Sequence, residues 1–119
     1  MTGLSILEQA YQLLEAPEKA AYAEGDEMGL LAVNQIYGEL WHREHTEAFR
    51  PLNGLRQTVA LSWRFLPAMT YGTAMLLCLN NEEGGCYNRL QALYERAALH
   101  AGGPCRPRMQ VAFPEEESL

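Results

Sequence analysis

The apolar residues of this chain recur at the three- and four-residue spacing of an amphipathic helix in four successive segments. These segments cover residues 5–16, 18–44 and 62–79, and a last one ends at about His100. Each is bounded by a capping residue, a glycine or a proline, the residue types that begin and end helices. The pattern therefore predicts an all-α fold with about four principal helices and no sheet larger than a hairpin.

Local residue types set the expected helix boundaries. Ser5 and Glu8 have the spacing of a capping box at the start of the first helix. Pro17 ends that helix, because the residue before a proline is pushed out of helical geometry. Residues 18–44 are expected to form the longest helix, although Gly25-Asp26 would also allow its first turns to separate.

The segment between the second and third predicted helices, from His45 to Leu61, has no apolar period. It contains the turn formers Pro51, Asn53 and Gly54. A long irregular connection is unusual in a single domain of 119 residues and is commonly functional. We therefore take this connector as a candidate functional segment.

A second unusual segment follows the last helix, which a Gly-Gly-Pro run is expected to end. We predict a helical domain over residues 1–101 and an extended or disordered tail over residues 102–119. Met109, Val111 and Phe113 alternate with other residues in the tail, which is a strand-like pattern. Because a lone strand is marginally stable in water, the pattern suggests an arm that lies on another surface.

The charge distribution argues against a nucleic-acid partner. Residues 1–44 carry the whole net charge of −6, while residues 45–101 carry +1 and the remainder −1. Tight binding to phosphates needs a basic face, which an acidic chain with scattered arginines does not offer. No apolar run approaches the ~20 residues that span a bilayer, and the first residues lack the features of a secretory signal. We expect no nucleic-acid binding, no membrane insertion and no secretion.

No group of residues has the spacing of a catalytic or metal site. The three cysteines form no CxxC pair and are expected to be free thiols: Cys78, Cys86 and Cys105. His42 and His45 could share a helix face, but zinc needs three or four ligands. We therefore expect no catalytic residue, no metal and no cofactor. Were a metal present, His100 and the last two cysteines would be the first candidate ligands.

Strings in the second and third predicted helices resemble a known family. One runs from Ala32 to Trp41 and contains Val-Asn-Gln-Ile-Tyr, and the other runs from Met69 to Leu77 and begins Met-Thr-Tyr-Gly-Thr-Ala. In the last helix the resemblance is carried by Asn88, Leu90 and Tyr94. The chain resembles the small head–tail connector (head-completion adaptor) proteins of long-tailed bacteriophages and prophages, which typically have Ile/Val-Asn-Gln in the second helix and Leu-Pro-Tyr-Gly-Leu-Ala opening the third. It differs in having Thr70 where proline is usual.

The resemblance implies a structural assembly protein that docks on the portal after DNA packaging. It further implies a homo-oligomeric ring that joins the portal to tail-side proteins, is assembled in the bacterial host cytoplasm and belongs to the virion. An acidic lining would suit a DNA passage, because it repels phosphates. The main alternative is a small helical regulatory or anti-host protein that binds a single protein partner without catalysis. A third class is an enzyme whose site is assembled from scattered residues.

A ring subunit must present two different, complementary patches, because head-to-tail contacts are heterologous. The connector and the tail are the two segments that the helical pattern does not assign to the core. Both combine arginine with apolar residues, a combination that is enriched at interface centres. The predicted interface residues are Arg50, Leu52, Leu55 and Arg56 in the connector and Arg106, Arg108, Met109, Val111 and Phe113 in the tail. The alternative is that the connector folds back on its own core and that the tail is disordered.

Overall fold

Helices dominate the computed structural model, which describes residues 1–78 and 84–102. The elements, in chain order, are α1 (Gly3–Leu13), α2 (Pro17–Ala20), α3 (Glu27–Trp41), α4 (Leu66–Leu77) and α5 (Gly84–Gly102). Single turns of 3-10 helix at Ala23–Gly25 and Trp63–Phe65 precede α3 and α4. The predicted all-α fold is confirmed, with four long helices, the short α2 and a long irregular connector between α3 and α4. The predicted tail lies outside the described residues.

Several of the expected boundaries differ from the structure. The first helix ends at Leu13 rather than at Pro17, with Glu15 in the left-handed conformation, and Pro17 instead begins the short α2. The capping box is formed by Thr2 and Ser5 rather than by Ser5 and Glu8, because α1 already begins at Gly3. The expected long helix over residues 18–44 is divided, since Asp26 caps a new helix by accepting a hydrogen bond from the Gly29 amide at 2.9 Å. The longest described helix is therefore α5, with 19 residues against 15 in α3.

The central helix is α4, which packs against α1, α3 and α5. It is buried on most sides, and Met69 and Thr73 have no exposed surface. Gly72 permits the close approach of its neighbours, because a Cβ atom there would lie 2.9 Å from side-chain atoms of both Ile36 and Tyr94. The three-helix contact of α3, α4 and α5 thus depends on the smallest residue at this position.

In the structure the connector spans residues 42–62 rather than the predicted 45–61, and side chains of α3 fasten it to that helix. Asn34 makes two hydrogen bonds to one residue, donating from Nδ2 to the Leu52 carbonyl at 3.0 Å and accepting from the Leu52 amide at 2.7 Å. The Tyr37 hydroxyl accepts from the Ala60 amide at 2.9 Å. Trp41 Nε1 donates to the carbonyl of Glu47 at 2.6 Å. The irregular backbone therefore finds the polar partners that a buried segment needs.

The far side of the connector pairs with the first residues of the chain. The Leu4 amide donates to the Leu55 carbonyl at 2.7 Å, and the Val59 amide donates to the Met1 carbonyl at 2.8 Å. Thr2 and Thr58 form an isolated antiparallel bridge between these hydrogen bonds. The connector is thus held between α3 and the start of α1.

Tyr11 links α1 to the capping residue of α3. It is only 7% exposed, and its hydroxyl donates a hydrogen bond to Asp26 Oδ2. Burial raises the pKa of Tyr11 well above its ordinary value, and the Asp26 carboxylate beside it raises the pKa further. The neutral phenol is therefore the form that the fold stabilises.

We expect Asn34→Ala to lower the free energy of unfolding by about 1–3 kcal/mol, because it leaves the Leu52 amide and carbonyl without their partner. The measurement is urea denaturation followed by circular dichroism. Gln35→Ala, at the neighbouring exposed position, is the matched control and should stay within about 0.5 kcal/mol of the parent. Equal effects of the two substitutions would contradict the fastening role of Asn34.

We expect stability to fall in alkaline solution partly through Tyr11. Because its folded pKa is raised, the stabilisation is complete below the unfolded pKa of about 10 and is lost as the pH rises above it. Urea unfolding at about pH 8 and about pH 11 should show a smaller alkaline loss in Tyr11→Phe than in the parent. Tyr22→Phe, at a position that is 81% exposed, should keep the alkaline loss of the parent. An unchanged loss in Tyr11→Phe would contradict this assignment.

Candidate interaction site

The structure separates the predicted connector residues into two kinds. Arg50 and Arg56 are exposed, whereas Leu52 and Leu55 are only 7% and 5% exposed and belong to the hydrophobic core. Both leucines pack against α1, since a Cβ atom at Gly3 would lie 2.8 Å from Leu52 and 3.3 Å from Leu55. The connector thus folds back on the core with its apolar side. Only its two arginines face outward as candidates for an interface.

Arg56 already has an intramolecular partner. Its guanidinium donates from Nε to Glu24 Oε2, and the two side chains form a salt bridge on the surface. This hydrogen bond holds the pKa of the Glu24 carboxyl below its ordinary value. An exposed pair of this kind contributes little to stability. Its guanidinium therefore stays accessible to a partner's carboxylate.

Arg50 lies at a cavity of about 350 Å³ between the connector and α3. An aromatic cluster forms part of this cavity's wall, and in it Tyr37 and Phe49 meet edge to face with ring centroids 5.0 Å apart. The Trp41 ring stacks on His45 with centroids 3.9 Å apart, and His45 Nε2 lies 2.6 Å from the Ala60 carbonyl oxygen. The complete lining is Tyr37, Trp41, Glu47, Ala48, Arg50 and Ala60.

A larger groove of about 610 Å³ lies between α1 and α4. Its polar groups are amides and hydroxyls rather than carboxylates or amines. The lining consists of Gln9, Gln12 and Leu13 from α1 with Leu66, Pro67, Thr70 and Tyr71 from α4. Sequence reasoning missed this groove because each helix supplies only part of it. In the structure the groove is marked by Leu13, an apolar residue that stays 42% exposed.

Large apolar side chains are also exposed outside the groove. Met28 and Leu31 lie one turn apart on α3 and are 59% and 63% exposed. The other such residues in the described part of the chain are Tyr22, Trp63 and Leu99. Exposed apolar residues on one helix face mark a surface suited to a protein partner.

Of the residues considered as metal ligands, Cys105 lies outside the described residues, and the described ones do not come together. Cys86 and His100 lie about 21 Å apart along α5. His42 is exposed at the end of α3, while His45 is held against Trp41 and Ala60. Within residues 1–78 and 84–102, no three His, Cys, Asp or Glu side chains form a group that could hold a metal ion. Among the same residues, no helix is both long and apolar enough to cross a membrane.

Of the predicted interface residues, those of the tail lie outside the described residues: Arg106, Arg108, Met109, Val111 and Phe113. Their assignment stays a prediction.

No protein-family model, curated protein or solved structure matches this chain. Its functional interpretation therefore rests on the connector, the groove and the exposed helix faces themselves.

We expect Leu55→Ser to act on folding rather than on a partner. Removing this buried side chain should lower the free energy of unfolding by about 2–5 kcal/mol. Arg50→Ser, five residues earlier on the exposed side of the connector, should change it by no more than about 0.5 kcal/mol. Urea denaturation of both variants makes the comparison. A stable Leu55→Ser variant would show that the connector does not need this core contact.

Proposed function

We propose that this chain is a structural assembly protein of a long-tailed bacteriophage or prophage. It would dock on the portal as a ring and join the portal to tail-side proteins, and so belong to the virion. The proposal starts from the resemblance of the segments Ala32–Trp41 and Met69–Leu77, which form the larger, carboxyl-terminal parts of α3 and α4. These two helices pack against each other at the centre of the fold.

The observation that carries the proposal is the fastened connector. Asn34, Tyr37 and Trp41 hold its backbone on α3, so that its outward side is a fixed surface. A subunit that closes a ring needs contact surfaces of fixed geometry, because a small error in each contact accumulates around the ring. Arg50 and Arg56 on this surface supply the donors that are enriched at interface centres.

The charge distribution supports a ring around DNA. Residues 1–44 carry the acidic excess, and their carboxylates at Glu15 and Glu18 are exposed. Carboxylates that line a passage repel phosphates, which favours DNA that moves through without binding.

A helical regulatory protein that binds one protein partner is the second candidate. The groove between α1 and α4 favours it, because an apolar groove of about 610 Å³ suits a few side chains of a partner. Such a protein would act as a monomer or dimer and would not need a ring.

The decisive experiment mixes the full chain with the portal protein encoded in the same genome. Under the proposal, negative-stain microscopy shows a ring of added density on the portal, and native mass spectrometry gives several copies per portal. Arg50→Glu should weaken this assembly by roughly tenfold or more, since it places a repulsive charge at the contact. Arg89→Glu, an equal charge change on an exposed position of α5, is the matched control.

Two outcomes would contradict parts of this proposal. A chain that stays monomeric or dimeric and does not bind the portal favours the single-partner alternative. Normal assembly of Arg50→Glu would be consistent with the ring but would show that the connector is not part of the contact between subunits.

A further inference from the structure

The outer side of α3 carries an apolar pair with carboxylates at both ends. We define the α3 face as Glu27, Met28, Leu31, Gln35 and Glu39, all of which are exposed. Met28, Leu31, Gln35 and Glu39 follow one another at three- and four-residue spacing and so lie on one side of the helix. The connector and α5 leave this side uncovered in the described part of the chain, where Leu31 is 63% exposed.

The two carboxylates of the α3 face have no basic partner among the described residues. Glu39 accepts a hydrogen bond from the Tyr94 hydroxyl at 2.7 Å, which fixes one of its oxygens. The described salt bridges instead use Glu24, Glu44 and Glu47. A segment that suits the α3 face therefore combines apolar side chains with arginine or lysine.

The described chain ends beside this face. Arg43 Nη1 donates to the Ala98 carbonyl at 3.4 Å, so the last turn of α5 lies next to the carboxyl-terminal end of α3. From Glu39 the α3 face runs back to Glu27 over about 18 Å. Since Tyr94 of α5 contacts Glu39 and Ala98 lies at Arg43, α5 runs past this end of the face, and the residues that follow Gly102 start about one turn beyond Arg43.

The chain itself contains a segment that combines arginines with apolar residues and is long enough to reach the α3 face. Residues 103–113 can span up to about 36 Å when extended, which exceeds the length of the α3 face. Along this segment the arginines precede the alternating apolar residues. If the segment runs back along α3, its arginines reach Glu39 first and its apolar residues then reach Leu31 and Met28. The segment contains Arg106, Arg108, Met109, Val111 and Phe113.

We propose that residues 104–113 bind the α3 face of the same chain, with the arginines near Glu39 and the apolar side chains on Leu31 and Met28. The binding is independent of any ring or portal. The groove between α1 and α4 is a poorer match, because its lining offers no carboxylate to the two arginines.

Trypsin cleavage of the full chain at the Arg108–Met109 bond tests this binding. The nearby Arg106–Pro107 bond resists trypsin because proline follows the arginine. Cleavage at Arg108–Met109 therefore reports by itself whether the segment is bound or accessible. Leu31→Glu should accelerate cleavage by roughly five- to tenfold, because it releases the segment. Leu13→Glu, the same change at an exposed leucine in the groove, should cleave at the rate of the parent. Circular dichroism checks that both variants keep the helicity of the parent.

A second measurement leaves α3 unchanged. In the ¹⁵N-labelled full chain, Phe113→Ser should shift the amide resonances of Met28, Leu31 and Gln35 and leave those of Gln9 and Leu13 in place. Equal cleavage rates in the parent and both variants, or faster cleavage only in Leu13→Glu, would overturn the proposal. Protection that is lost on dilution would also overturn it, since a second copy would then supply the segment.

Discussion

The double hydrogen bond between the Asn34 side chain and the Leu52 backbone is the contact on which the rest of the connector depends. An irregular segment has no ladder or helix to satisfy its backbone, so its amides and carbonyls need other partners once they leave water. Tyr37, Trp41 and the first residues of the chain supply these partners on either side of Leu52. As a result, a stretch without secondary structure becomes part of the core and presents a fixed outer surface.

Some residues in the strings that carry the family resemblance have structural roles in this chain. Asn34 holds the connector, and Gly72 allows α4 to approach Ile36 of α3 and Tyr94 of α5. Both residues make these contacts inside the molecule. A partner is recognised on the surface, by exposed side chains such as Arg50. The surface experiments therefore decide between a ring subunit and a regulator that binds a single protein.

The candidate surfaces differ in how far they could be predicted. Arg50 and Arg56 were predicted as contact residues and are exposed, whereas Leu52 and Leu55 were predicted with them and are buried. Leucine is buried far more often than arginine, but an aperiodic segment does not show by itself which side faces the core. The groove between α1 and α4 was missed for a related reason, since its two walls are far apart in the chain.

The sequence by itself determined the helices, because helical periodicity and capping act over three or four residues and are visible in a single stretch. It indicated the division before α3, where Gly25-Asp26 and the Asp26 cap interrupt the expected long helix. Only the tertiary structure decided where the connector lies, which of its residues are buried and which helix faces stay open. Those outcomes depend on contacts between distant residues, such as Asn34 with Leu52 and Leu4 with Leu55, whose energies are set by packing rather than by local pattern.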